Sequence, residues 1–449
     1  MHSRHIGNTA IIIGAGIGGL TAARALAEYF HQVIVLERDT LPVDPVARTG
    51  TPQDRHPHTL LGGGLSALEE LFPGFEQELK DAGAVPYRLG IDVLLELPGY
   101  DPCYPRHDIG MWGYYMSRPL LEWVVRKRVL QIENIAIRQN CRVQSLLSTS
   151  DSTVVTGVQY FSNLGDSETL AADLVVDASG RGMLTMALLD QLNLPRPQET
   201  TIGVDINYAT AVFRKPLSAR PRDWLGIRTM GQPPIIRRGV LLMPIEEDRW
   251  MVTIAGRGEK LPSDREGFLA FAKQCRTTTV HDAIVNAQWV EEVARYRFSE
   301  SVRRHFELLE VVPARLIPMG DALCQFNPVW GQGMSVAAMQ ARLLQDMLRK
   351  RVSDTTPLDG LQQHFLAEAQ VLIDTPWRTA AYPDLADPEA TGKRPADLQQ
   401  ELQFRAAVRR LAAIDPVVYK LHTEVTTLLS PPSVLTTPDV LRRLGVNDH

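Results

Sequence analysis

Hydrophobic and polar positions along the chain follow distinct patterns from one region to the next. Near the N-terminus, Ala10–Ile13 is a continuous apolar run, as a strand buried on both faces requires, and it leads straight into Gly14-x-Gly16-x-x-Gly19. The pattern then predicts a helix over Leu20–Tyr29 and a second apolar strand, Val33–Leu36, ending at Glu37. Such a strand–helix–strand start, with a helical crossover, implies parallel pairing. A loop with Pro and His follows (Thr51–His58), then a helix from about Leu65 to Leu71. A further helix is expected near Ser117, where Pro119 suits the first turn and Leu120, Trp123 and Val124 share one face. Ala172–Val176 is another short apolar strand, running into Asp177-Ala-Ser-Gly-Arg-Gly182.

The period then changes to two. Ile202, Val204, Ile206, Tyr208, Thr210 and Val212 alternate with smaller or more polar residues, as half-buried antiparallel strands do. Val240–Pro244 and Trp250–Ile254 read as two more strands, turning through Glu246-Glu-Asp248, and Ser263 with Glu266 reads as a capping box opening a helix. An apolar strand returns at Leu316–Met319, followed by a loop and a helix from Met334 to about Leu348. Beyond Asp354 the pattern is helical, interrupted by expected turns near Pro376–Pro395.

The expected fold class is therefore α/β. A Rossmann-like FAD-binding domain of the glutathione-reductase type occupies 1–190 and 306–350, an antiparallel substrate-binding sheet 191–305, and a C-terminal helical region 351–449. At 449 residues the chain is long enough for two or three units. Its net charge of -5 gives no electrostatic reason to expect nucleic acid. The four cysteines (Cys103, Cys141, Cys275, Cys324) show no paired metal or redox spacing, so reduced thiols in a cytoplasmic protein are expected. No apolar run approaches the roughly 20 residues that span a bilayer, so no integral membrane segment is expected, and the run at Ala10–Ile13 is too short for a signal sequence.

The chemistry lies in the glycine-rich turns. Gly14 permits the tight turn, Gly16 lets backbone approach a pyrophosphate, and Gly19 permits close helix–strand packing. The helix N-terminus supplies unpaired N–H groups. Glu37 is placed to accept from a ribose, and its charge favours FAD or NAD over NADP at this site; Arg38 beside it is a further candidate cofactor contact. Towards the other end, Gly320 and Asp321 close an apolar strand, and Pro328, Gly331, Gly333 and Met334 lead into a helix. A glycine-opened helix N-terminus suits the N1–O2 edge of a reduced flavin, and Asp321 is placed for hydroxyls of the ribityl chain. Asp177 and the residues after it fit either direct cofactor contact or a turn packing beneath it. Arg55 and Arg118 are candidate phosphate or isoalloxazine contacts. His56-Pro-His58 lacks the carboxylate or cysteine company of a metal site, so no metal is expected. No acid–base constellation stands out, and the catalytic residues stay unassigned.

These motifs, in this order, resemble those of the flavoprotein monooxygenases of the p-hydroxybenzoate hydroxylase fold. More narrowly, the chain resembles bacterial FAD-dependent epoxidases of polyether antibiotic biosynthesis, such as the lasalocid and monensin epoxidases. The segments that carry the likeness are Pro52-Gln-Asp-Arg-His-Pro-His58, Ala172–Gly182, Leu242-Met-Pro-Ile-Glu246 with Arg249-Trp250, and Phe326-Asn-Pro-Val-Trp-Gly-Gln-Gly-Met-Ser335. The resemblance implies FAD on Gly14, Gly16, Gly19, Glu37, Arg118, Asp321, Gly331 and Gly333, and a substrate wall formed near residues 200–256. It implies transfer of one oxygen atom from O2 through a flavin C4a-hydroperoxide to an olefinic polyketide or terpenoid of secondary metabolism, a hydrophobic small molecule. An aromatic hydroxylase and a double-bond reductase of the geranylgeranyl reductase type stay open beside it. Phe326, Trp330 and Tyr114 are expected to line the substrate pocket. Phenol hydroxylases carry Asp-Gly where this chain has Asp177-Ala178, a motif linked to NADPH use. Electrons are thus expected from NADPH or NADH, either directly or through a separate flavin reductase. No two tryptophans are separated by one residue, which disfavours halogenation.

Overall fold

The computed structural model describes residues 5–162, 165–216 and 223–445; residues 1–4 and 446–449, the outer ends of the first and last expected segments, lie outside these. A five-stranded parallel sheet takes up the apolar runs as its strands. In spatial order it contains Leu316–Pro318, Leu174–Asp177, Gly7–Ile13, Phe30–Leu36 and Ile135–Arg138. Ile11, Ile12 and Val35 have no exposed surface, so both faces are covered. One face packs on helices, chiefly Ile17–Ala27 and Gly333–Arg351; the other carries an antiparallel meander through Arg142–Ser148, Val155–Phe161 and Ser167–Ala171. The helix expected over Leu20–Tyr29 is Ile17–Ala27, ending before Phe30 enters the next strand.

An eight-stranded sheet forms the second layer. Gln198–Arg214 is its spine, flanked by Ala294–His305 and Arg249–Arg257, with Arg238–Ile245 and Gly226–Thr229 beyond. The turn Glu246-Glu-Asp248 is present, with positive φ at Glu247 (61°) and Asp248 (52°), the geometry of a tight hairpin. Alternation holds only along the first part of the spine, where Ile202, Val204, Ile206 and Tyr208 are buried. From Ala209 to Phe213 every residue is buried, because the helix Arg265–Lys273 covers the opposite face with Phe268 and Phe271. That helix is capped by Asp264, whose side chain accepts from Gly267 N at 2.8 Å, and not by Ser263 as the capping-box pattern suggests. A carboxylate there both caps and complements the helix dipole. Val93–Glu96, from the N-terminal third of the chain, joins this sheet parallel to Gly226–Thr229.

The C-terminal region has its expected turns only after Leu385, where residues 386–397 link two helices. One helix, Leu361–Leu385, runs straight through Pro376 and Pro383. An interior proline costs about 3 kcal/mol. Each fully buried large apolar side chain returns roughly 1.5–3 kcal/mol, and Phe365, Leu366 and Ile373 are all within 1% of full burial. Packing therefore outweighs propensity here. The helices Leu398–Ala412 and Pro416–Thr426 then fold onto the segment containing Tyr104 and Ile109.

Candidate functional site

Two helix N-termini converge on one cavity of about 2230 Å³, larger than the roughly 300–1,000 Å³ typical of a single small ligand. The helix Ile17–Ala27 opens at Gly16 and the helix Gly333–Arg351 at Gln332, and neither has a side-chain cap. The leading N–H groups of both helices are thus available to a ligand. The four strand ends that feed the site, at Ile13, Leu36, Asp177 and Pro318, lie side by side. This is the carboxyl edge where open α/β sheets bind ligands.

Each glycine has a distinct local reason. Gly14 adopts φ +99°, and a Cβ there would stand 2.7 Å from the carbonyl oxygen of Ala178. A Cβ on Gly19 would stand 1.8 Å from the carbonyl oxygen of Gly14, so Gly19 serves packing and does not line the cavity. At Gly16 no atom lies within 4 Å of that position; its face is open to the cavity.

The structure brings Gly14, Gly16, Glu37, Arg38, Arg118, Gly320, Asp321, Pro328, Gly331, Gly333 and Met334 to this cavity, together with Phe326 and Trp330. Glu37 is buried; its Oε2 accepts from Ala15 N at 2.7 Å and its Oε1 from Asp39 N at 3.0 Å, so the carboxylate is fixed beside the glycine turn. Arg38 is exposed at the rim, reaching the carbonyl of Gly50. Arg118 is buried and ion-paired to Asp54 and, at 3.6 Å, to Glu122. Asp321 is exposed and lines the cavity. The enclosing protein pushes its carboxyl up, while Arg118, Arg304 and Arg181 pull it down. Gly320 N donates to Gln340 Oε1 at 2.7 Å, holding this turn against the second helix.

Besides Gly19, three expected site residues fall elsewhere. Asp177 has no exposed surface, and its carboxylate is consumed by Ser179 and by Thr185 N and Oγ1, locking the strand to the helix Met183–Gln191. Its neighbours Ala178, Ser179, Gly180 and Arg181 line the cavity instead. Arg55 is exposed and outside the lining, and Tyr114 is buried with its hydroxyl on Glu76.

Arg48 was not visible as a site residue in the sequence, since it lies in an irregular loop without a motif. Its side chain is buried at the cavity wall, pairing with Asp39 at 2.7 Å, Glu122 at 2.9 Å and Glu37 at 3.5 Å. His56 and His58 also line the cavity. His56 Nδ1 lies 2.7 Å from Thr210 Oγ1, and His58 Nδ1 lies 2.8 Å from the carbonyl of His56. Burial pushes both imidazoles down to about 4, with His58 and Arg55 adding to the shift at His56, so both are neutral at pH 7. Among the described residues no cluster of three His, Cys, Asp or Glu is disposed to hold a metal.

The residues fit FAD: two uncapped helix ends, a glycine face open to the cavity, and a buried Gln332 Oε1 with no protein partner beside the second helix start. Residues 12–72 match the family described as NAD(P)-binding Rossmann-like domain. Protein Rv3254 of Mycobacterium tuberculosis is 32% identical over 351 residues, covering 77% of this chain and 73% of that protein. The mitochondrial squalene epoxidase 2 of Arabidopsis thaliana is 24% identical over 348 residues, covering 76% of this chain but only 54% of the relative. Among solved structures, pqsL, described as a probable FAD-dependent monooxygenase from Pseudomonas aeruginosa, superposes with a TM-score of 0.60 at 16% identity, over 84% of this chain and 97% of that one. Fold and site together define the class, a flavoprotein of the FAD-dependent monooxygenase type. Within it, the chain belongs to the family of the mycobacterial protein Rv3254. No described helix is long and apolar enough to cross a membrane.

Proposed function

We propose that this chain is an FAD-dependent epoxidase acting on an olefin in a hydrophobic small molecule, of the polyketide or terpenoid kind. The observation that carries this reading is the character of the cavity beyond the cofactor residues. There one stretch of wall is apolar (Val93, Leu95, Val240, Leu241, Phe404, Val408), and among the described residues no group lining it is poised as a strong base. Asp374 is paired with Arg303 at 3.1 Å and Glu401 with Arg405 at 2.8 Å. His56 and His58, at about 4, are too weak to ionise a phenol. Hydroxylating a phenol benefits from such a base, whereas oxygen transfer to an alkene does not need one.

Bound FAD would supply the oxygen-activating chemistry. The chain's own part is to bind and position. Gly14, Gly16, Glu37, Arg38, Arg118, Gly320, Asp321, Pro328, Gly331, Gly333 and Met334 would hold the cofactor, and Phe326 and Trp330 would face the substrate. Segments 1–190 and 306–350 would form the cofactor-binding unit, 191–305 the sheet wall, and 351–449 the cover that keeps water from the reacting centre. The squalene epoxidases among the relatives support oxygen transfer to an alkene. Electrons would come from NADPH or NADH, directly or through a flavin reductase. The test is turnover of a terminal olefin by the reduced, FAD-loaded protein under labelled oxygen gas. An epoxide carrying one labelled atom supports the reading; a saturated product with no label refutes it.

A further inference from the structure

We propose that the substrate carries an anionic head, a carboxylate or phosphate at one end of an apolar chain, and that Arg228 and Arg409 bind it. This deepens the epoxidase reading and rests on it for the location of the substrate.

Positive charge is unbalanced beside an apolar stretch of the cavity. Arg228 sits on the short strand Gly226–Thr229 and lines the cavity among Leu95, Leu241 and Tyr87. Its Nε donates to the thioether of Met230 at 3.0 Å, a weak acceptor, and its Nη2 donates to the carbonyl of Val329 at 3.2 Å. Neither partner carries charge. Burial lowers the guanidinium from its ordinary value, but an arginine stays protonated in practice. The groups that face it do not compensate. Tyr87 and Tyr115 stack on each other at 4.1 Å, and burial pushes Tyr87 up to about 12 and Tyr115 well above its usual range, so both stay neutral.

The next charge towards the C-terminal helices has the same sign. Arg409, on Leu398–Ala412, lines the same cavity, acts electrostatically on Arg228, and has no carboxylate partner among the described residues. His422 stands near it and is held down to about 4 by burial, with Arg409 and Arg405 assisting, so it is neutral at pH 7. The nearest acid on that helix, Glu401, is already engaged by Arg405 at 2.8 Å and Arg378 at 3.7 Å. Three other cavity arginines are matched, Arg257 by Asp384, Arg238 by Glu259, and Arg237 by Asp387 and Glu389, whereas Arg142, Arg181 and Arg410 line the cavity without an ion pair among the described residues.

Arg409 is exposed, but Arg228 is half-buried among apolar and neutral groups, where an uncompensated charge is costly unless something completes it. An anion on the ligand does so, and the guanidinium fork suits carboxylate and phosphate oxygens alike. Arg228 is also tied to the carbonyl of Val329, four residues before Gly333, where the cofactor-binding helix begins. An anion held there fixes how far along its chain the substrate can present a double bond to the cofactor.

The experiment is calorimetric titration of the FAD-loaded protein with three ligands of one apolar chain: 10-undecenoate, its methyl ester, and 10-undecenyl phosphate. The proposal expects at least one anion to bind ten-fold or more tighter than the ester, and the tighter of the two identifies the head. It expects Arg228→Gln to erase that preference while leaving ester affinity and flavin absorbance unchanged. Arg409→Gln provides the same test if the first variant does not load FAD. Equal affinity of anions and ester in the unsubstituted protein overturns the proposal and leaves the epoxidase reading standing. Parallel weakening of anion and ester in both variants also overturns it, since that is the signature of arginines with only a structural role. Failure of all three ligands to bind contradicts the apolar-substrate reading itself and the proposal with it.

Discussion

Asn327 Nδ2 donates to Asp384 Oδ2 at 2.8 Å, joining the loop before the cofactor helix to the proline-containing helix of the C-terminal region. Both side chains are buried. The same Asn327 accepts from Val329 N at 3.1 Å and Tyr208 Oη at 3.4 Å, and Asp384 also pairs with Arg257. One small polar network thus ties together cofactor loop, sheet wall and helical cover.

Removing its acid strands a cation. Asp384→Ala leaves Arg257, whose Nη1 already lacks a partner, without its carboxylate. The expected loss of stability is about 3–5 kcal/mol, measured by chemical denaturation of the FAD-loaded protein. A loss below about 1 kcal/mol would mean that the pair is solvated and does not hold the layers together.

The turn glycines separate packing from ligand approach. Gly19→Ala places a methyl against the Gly14 carbonyl, and Gly14→Ala adds strain at a positive φ. Each is expected to destabilise the protein by about 1–3 kcal/mol, seen as a lower unfolding midpoint with or without added FAD. An unchanged midpoint for Gly19→Ala would contradict the close helix–strand contact.

Acid should weaken the fold through His56. Its folded value of about 4 lies below the ordinary 6.5, so between these values the unfolded chain binds the proton first. Stability is then full above pH 6.5 and falls as pH drops towards 4, by on the order of 1–3 kcal/mol. Denaturation curves from pH 7.5 to 4.5 should show this slope, to which His58 and His422 add, and His56→Gln should make it shallower. An equal slope in the variant would assign the loss to other groups.

On the substrate side, Phe326→Ala and Trp330→Ala are expected to raise KM several-fold or change which double bond reacts, because both line the cavity. Tyr114→Phe should do neither, since its hydroxyl is spent on Glu76 outside the cavity. Product analysis by mass spectrometry with a diene substrate distinguishes these outcomes.

What could be read in the sequence was what depends on neighbours along the chain. The strand–turn–helix around Gly14, the hairpin at Glu246–Asp248 and the helix start at Ser117 are local, and they appear where the pattern puts them. Asp177 shows the limit: a carboxylate after a strand reads as a ligand contact, but Thr185, eight positions on, takes it up. Arg48 and Asp384 gain their roles only from residues far away in sequence, so no motif marks them. Pro376 and Pro383 mislead for the opposite reason, as burial of the surrounding helix outweighs a local signal that is real.

The central claim is one FAD site built from both ends of the chain. Its most direct test is a flavin titration, followed by absorbance, of the unsubstituted protein, Gly16→Ala and Asp321→Ala. Gly16 has open space where a methyl would stand, so its variant should keep its stability within about 0.5 kcal/mol and still lose FAD affinity. One FAD per chain is expected for the unsubstituted protein, with affinity at least ten-fold weaker in both variants. Unchanged FAD binding in either variant would contradict the claim.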